Sequence, residues 1–263
     1  MAKKSTPKNK QPKKEAAVTA QKEAPVPVAP RAESADTKLR RILAKAYMGG
    51  LIKSIKLGKN GAFEVPDDSK NVLVIFNGLE DDGADFFSEE IGIIDLGMLV
   101  NILKTTTDPM IKYKDGVLTI KEGTKEFKYL TAEPTVVSSY TPATGTEHLE
   151  VRIAKTKAVD VTITPEELQN ILKACIILKD ASRMHIGEKD KGMCVVVGTE
   201  QENSYEIQLG VPPAFDGWIA LPKRETQAVL EACEGPVTLE LRAGDDAPVV
   251  VKEKDLKIFI GRM

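Results

Sequence analysis

The hexamers LVNILK (residues 99–104) and LQNILK (168–173) agree at five of six positions. Each sets Leu and Ile at the three- and four-residue spacings of one helical face. A chain that writes the same half-helix twice is constrained to build one packing unit more than once, and the surroundings of both copies agree. The first follows the strand-like run EEIGIID (89–95), whose Asp95 suits an N-cap for a helix over LGMLVNILK (96–104). The second follows VDVTI (159–163) and a capping box, Thr164-Pro165-Glu166-Glu167, with proline at the first helical position of EELQNILKACIIL (166–178).

The remaining segments repeat that plan. TKLRRILAKAYMGG (37–50) aligns Leu39, Ile42, Leu43 and Ala46 and stops at Gly49-Gly50. LIKSIKL (51–57) and NVLVIFN (71–77) read as strands. IKYKD, GVLTIKEG and KEFKYLTA (111–132) read as short strands with hairpin turns at Asp115-Gly116 and Glu122-Gly123. Further strands are expected near 183–188, 193–198, 204–210 and 217–222, then a helix at 223–234 and closing strands within 236–243, 248–253 and 256–261. Between the halves, residues 133–157 begin rich in Thr, Ser and Pro, lack a helical period and read as a connector. The expected class is α+β: two similar domains, 37–132 and 158–263, built from repeated βαβββ units.

Charge is unevenly distributed. Of 37 basic and 39 acidic residues, eight and four lie in residues 1–36, so the remainder carries a net charge of −6. The Lys-, Pro- and Ala-rich start lacks the apolar surface to offset ordering entropy and is expected to be a disordered basic tail. It is either a solubilising extension or a weak, sequence-blind contact for nucleic acid. Three widely spaced cysteines (Cys175, Cys194, Cys233) suggest reduced thiols in an intracellular protein. No apolar run reaches the ~18 residues of a bilayer span, so a soluble, cytoplasmic protein without a membrane partner is expected.

Catalytic and cofactor patterns are missing. There is no GxxxxGK[ST], GxSxG or HExxH motif and no CxxC pair. The cluster Glu80, Asp81, Asp82 and Asp85 lacks calcium-loop spacing and reads as a solvated loop, Asp245-Asp246 as a turn, and His185 as a packing or surface residue. No enzyme site, metal or cofactor is expected.

The helix faces turned away from the apolar stripes are more informative. The first presents Lys38, Arg40, Arg41 and Lys45; the second Gly97, Asn101 and Lys104. The third presents Gln169, Asn170 and Lys173 with Glu166; the fourth Lys223, Arg224 and Gln227 with Glu231. Cations or amides on every helix of an acidic body suit a surface that meets phosphates. With aromatics at 5% there is no interleaving for base stacking, so any contact should ignore sequence.

IGIIDLGMLVNILKTTTDPMIKYKDGVLTIKEGTKEFKYLTAEPTVV (91–137) resembles the end of the first domain of a DNA polymerase sliding clamp, most closely of the tailed-bacteriophage family. VTITPEELQNILKACIIL (161–178) resembles the helix opening that family's second domain. PVTLELRAGDDAPVVVKEKDLKIFIG (236–261) is similar to the closing strands of clamps generally, including proliferating cell nuclear antigen. The resemblance covers roughly residues 37–263; the basic tail departs from it.

It implies a homotrimeric ring, helices inside and sheets outside, that encircles duplex DNA and tethers the replicative polymerase. It also implies loading by an ATP-driven clamp loader and, for phage members, contacts with late-transcription factors in an infected bacterial host. A partner-peptide pocket would draw on Val136, Val137, Tyr140, Ile258, Phe259 and Ile260, and the helix-face residues would line the DNA channel. The alternatives are a non-ring nucleic-acid-binding module with a basic tail, and an enzyme with an unrecognised site.

Overall fold

Five helices and fifteen strands are present among the described residues, which are 33–79, 86–137, 139–141, 147–190, 192–199, 201, 203–210, 217–242, 244 and 247–263 of a computed structural model. The stretch 1–32, Glu80 to Asp82, Asp85, Asp245 and Asp246 lie outside them. The first unit is α1 (Ala35–Tyr47), β1 (Ile55–Leu57), β2 (Phe63–Pro66) and β3 (Val72–Phe76). The second is β4 (Ile91–Ile93), α2 (Leu96–Lys104), β5 (Met110–Lys114), β6 (Val117–Glu122) and β7 (Lys125–Leu130). A connector carries the short helix α3 (Leu149–Ala154). The third unit is β8 (Ala158–Ile163), α4 (Pro165–Ile177), β9 (Arg183–Lys189), β10 (Gly192–Val197) and β11 (Tyr205–Gln208). The fourth is β12 (Trp218–Pro222), α5 (Lys223–Ala232), β13 (Val237–Arg242), β14 (Val249–Lys252) and β15 (Lys257–Ile260).

The helix starts are fixed as their sequences dictate. Asp95 accepts the Met98 N–H at 2.8 Å, and Thr164 and Glu167 complete the capping box on α4. Residues 33–36, expected to belong to the tail, join the folded unit instead: Ser34 caps α1 by accepting the Thr37 N–H, and the Asp36 carboxylate accepts the Ile111 N–H at 2.9 Å. Burying Leu39, Ile42, Leu43 and Ala46 ties α1 to the core, about 1.5–3 kcal/mol for each large side chain.

All strand pairs are antiparallel. β1 pairs β4; β5, β6 and β7 form a three-stranded sheet, and four strands run in the order β11-β10-β9-β12. The largest sheet, β2-β3-β15-β14-β13-β8, crosses the two halves through β3 and β15, with Val74 opposite Ile258 and Leu73 opposite Phe259. β2 is absent from the sequence reading. Its alternation of buried Phe63 and Val65 with Glu64 was the available signal.

The repeat shows in how the strands pair. β1–β4 in the first half corresponds to β9–β12 in the second. β3 ends the first unit of its half and β15 the second unit of the other half. Their equivalents are β11 and β7. Among the described residues, neither has a strand along its outer edge; only Ala132, beyond β7, bridges to Gly92.

One face of the six-stranded sheet carries Val72, Val74, Phe76, Val249, Val251, Ile258 and Ile260 into a core shared with the helices. Contacts run from α2 to α1, from the turn after α1 to α5, and from α5 to α4, so the four long helices form one row over that core. Gly97 permits the α1–α2 approach, since a Cβ there would sit 3.0 Å from the Tyr47 hydroxyl. The opposite sheet face carries Leu73, Ile75, Val250 and Phe259, covered by Tyr140, Leu149 and Ile153 of the connector. The connector enters over Gly92, where a Cβ would meet the Ala132 carbonyl at 2.8 Å, and its Tyr140 N–H bonds the Glu64 carbonyl. The helix α3 is a correction to the sequence reading: Leu149 and Ile153, four apart, supply just enough periodicity for one and a half turns.

Candidate nucleic-acid interface

The expected helix-face residues divide into two groups. Asn101 and Lys104 on α2, Gln169, Asn170 and Lys173 on α4, and Arg224 on α5 are exposed. They stand on the side of their helices away from Leu99 and Leu103, Leu168 and Ile171, and Val229 and Leu230, the buried stripes. The helix row therefore offers two lysines, an arginine and three amides on its open side. Long, hydrated side chains of this kind make interchangeable contacts with a phosphate backbone.

The cations of α1 are engaged instead. Lys38 lies 3.3 Å from Asp255, and Arg41 reaches Asp255 at 2.7 Å and Glu33 at 2.9 Å. Lys45 holds Glu253 at 2.8 Å and Glu234 at 3.5 Å. Glu253 and Asp255 belong to the turn between β14 and β15, so α1 is clasped to the second half by its own basic stripe. The Glu33 hydrogen bond raises the Arg41 pKa, against burial. Burial works against the charge on Asp255, yet hydrogen bonds from Arg41 and Lys38 outweigh it and hold its carboxyl below the ordinary range. Burial likewise opposes the Lys45 ammonium, and Glu253 and Glu234 more than offset it, raising its pKa. Arg40 donates from Nε to the Leu103 carbonyl at 2.9 Å, at the end of α2 where the helix dipole favours a cation.

Lys223 overturns the expectation for α5. It is 6% exposed, and its ammonium donates to the Leu178 and Lys179 carbonyls at 2.6 and 3.1 Å, closing the end of α4. Periodicity set it beside Arg224, but the first turn of α5 is pressed against α4, which takes Lys223 out of reach of any ligand. No pattern in the sequence distinguishes the two. The acidic partners Glu33, Glu234, Glu253 and Asp255 were also missed: the last three are far from α1 in sequence, and Glu33 lies just ahead of its first turn, in the stretch expected to be tail.

The expected peptide pocket is partly assembled. Phe259 (2% exposed) and Tyr140 meet on the outer sheet face. Ile258 and Ile260 do not join them: alternation turns both into the shared core, a correction that follows from strand period. Val136 is 65% exposed in a single 3-10 turn, and Val137 packs beside Gly92.

Among the described residues no cluster of His, Cys, Asp and Glu could hold a metal ion, and no helix is long and apolar enough to cross a membrane. His185 is half-buried on β9.

The architecture defines a class: this is the fold of the proliferating-cell-nuclear-antigen clamps. Two solved structures carry that statement. A chain in the structure of the C-terminal region of FEN-1 bound to A. fulgidus PCNA superposes with a TM-score of 0.62 at 13% identity, covering 87% of this chain and 96% of that one. The Proliferating Cellular Nuclear Antigen from Entamoeba histolytica does so with a TM-score of 0.62 at 15% identity and the same coverage. No family model matches the sequence, and no curated protein matches it.

Proposed function

We propose that the chain is a DNA polymerase sliding clamp: a non-enzymatic homotrimeric ring that encircles duplex DNA without reading sequence and tethers the replicative polymerase. The observation that carries this reading is the β3–β15 junction together with the unpaired edges of its equivalents, β7 and β11. Pairing β7 of one copy with β11 of the next repeats the internal junction head to tail, and such a heterologous contact closes into a ring when its rotation divides the circle. Both edges carry an exposed apolar side chain, Leu130 at 75% and Tyr205 at 51%. Ring closure would also dispose of two free strand edges.

In this reading residues 37–132 and 158–263 are the two domains of each subunit, joined by the connector 133–157. The open side of the helix row lines the channel, with Asn101, Lys104, Gln169, Asn170, Lys173 and Arg224 toward the phosphates. Few strong contacts are needed, because topology holds the ring on DNA. The missing P-loop fits loading by a separate ATP-driven machine. The outer face around Phe259 takes partner peptides; that a structural neighbour is a PCNA bound to the C-terminal region of FEN-1 supports a peptide-binding role. The resemblance of residues 91–137 to the tailed-phage family supports placing the protein in an infected bacterial cytoplasm, with late-transcription factors as further partners.

Sedimentation tests the ring: a mass of three times the 28.7 kDa chain is expected. The pair Leu130→Glu and Tyr205→Glu should reduce it to that of a single folded chain. Retention on circular but not linear duplex, with a clamp loader and ATP, tests encirclement. A single-chain mass for the unmodified protein, with DNA binding retained, would establish the non-ring module instead.

A further inference from the structure

The outer face of the six-stranded sheet is already occupied by the chain itself. Leu73, Ile75, Val250 and Phe259 form an apolar platform, and each is less than 7% exposed because Tyr140, Leu149 and Ile153 lie over it. The platform and its cover are built to different standards. The platform residues stand on strands hydrogen-bonded on both sides. The cover is six residues long, too short to be stable as an isolated helix, and none of its residues is fully buried.

Its carboxylate–lysine ties are water-exposed. Glu150 meets Lys257 at 2.5 Å, with side chains 31% and 52% exposed, and Lys155 pairs with Glu147. Pairs of this kind contribute little. The Arg242 guanidinium donates to the Ile153 and Thr156 carbonyls at its end. A cavity of about 420 Å³ runs along the helix between Glu150, Ile153, Val250, Lys252, Lys257 and Phe259, so the cover does not fill the surface it occupies.

We propose that α3 is an internal stand-in for a partner peptide, and that partners dock by displacing it with the same chemistry. Such a peptide presents apolar side chains at i and i+4, as Leu149 and Ile153 do, and a carboxylate at i+1 opposite Lys257. The connector is held at both ends, so α3 competes at the high effective concentration of a tethered segment. The apparent dissociation constant for an outside peptide is that for the open platform divided by the fraction of molecules with the platform open. Partner choice is thereby set by a threshold: weak apolar peptides are refused, and only those that outbind α3 gain the site. This rests on the reading of the outer face as a partner surface.

The probe is a fluorescein-labelled peptide of residues 147–157, EHLEVRIAKTK, titrated against the full chain by anisotropy. Against the variant Leu149→Glu with Ile153→Glu, which releases α3, binding should be at least ~10-fold tighter than against the unmodified chain. Lys257→Glu added to the released variant should weaken it several-fold, and a Glu150→Lys peptide should restore it. Equal affinity for unmodified and released chains, or no binding to a folded released chain, overturns the proposal.

Hydrogen exchange on the unmodified chain decides it even where the variant fails to fold. The α3 amides should exchange at least ~100-fold faster than those of β14, and equal protection overturns the proposal. The peptide assay reads neither DNA nor assembly. Loss of the ring with peptide binding intact would sink the clamp and leave this standing; the reverse result would sink only this.

Discussion

The carboxylate of Asp255 accepts the Arg41 guanidinium at 2.7 Å across 214 residues of sequence, fastening the first helix to the last hairpin. Lys38 shares the same carboxylate. Removing it leaves two cations facing a partly buried site with only Glu33 in reach. Asp255→Ala is therefore expected to lower stability by about 1–3 kcal/mol, read as a shifted urea midpoint with an unchanged slope. Amides of α1 should lose protection more than those of α4.

The same clasp sets a pH dependence. Folded-state pKa values of Asp255 and Glu33 lie below their ordinary 3.8 and 4.5, so their contribution is complete above those values and is lost as pH falls through the depressed ones. Lys45 has a raised folded pKa, so its contribution is complete below 10.5 and is lost as pH rises through the folded value. The contribution of the clasp to the urea midpoint should be flat between these limits, and Asp255→Ala should flatten the acid limb. An acid limb unchanged in that variant would assign the loss to other carboxylates.

Lys223 and Lys173 should behave as opposites although both are lysines on helices of the second half. Lys223→Met keeps the packed stem and removes two charge-assisted bonds to the end of α4, at a cost of about 1.5–3 kcal/mol. DNA association should not change. Lys104→Glu with Lys173→Glu should leave stability within about 0.5 kcal/mol. It should weaken DNA association and reduce its dependence on salt, measured by anisotropy with a duplex across a salt series.

The three thiols should be inert in the native protein. Burial pushes Cys175 up to about 11 and, with Glu253 adding to it, Cys233 to about 12; burial also raises Cys194. Thiolate is the reactive form, so iodoacetamide at pH 8 should label none of them natively and all three in denaturant, as read by intact mass. Rapid native labelling at Cys233 would show the end of α5 to be open.

What could be read beforehand follows the range of the interactions involved. The α+β class, the four long helices and most strands were legible because caps, hairpin glycines and apolar period act over a few residues. Asp95 and Thr164 cap where their sequences say. β2 is hard to read because only Phe63 and Val65 alternate before Pro66 ends the run, and α3 because one apolar pair hardly makes a period. Among site residues, Asn101, Lys104, Asn170 and Lys173 are exposed as a helical wheel requires, since the stripes opposite them are long and apolar. Lys38, Arg41, Lys45 and Lys223 sit on equally plausible wheels and are spent on internal partners.

The sequence by itself determined the repeated unit, because the repeat is written in local periodicity that each segment satisfies alone. Only the tertiary structure decided which cations remain free, which face of β15 meets the connector, and which strand edges stay open. Those outcomes depend on what lies opposite a residue in space. A carboxylate more than 200 positions away neutralises a lysine as well as a neighbour does, and nothing in the order of letters records the distance.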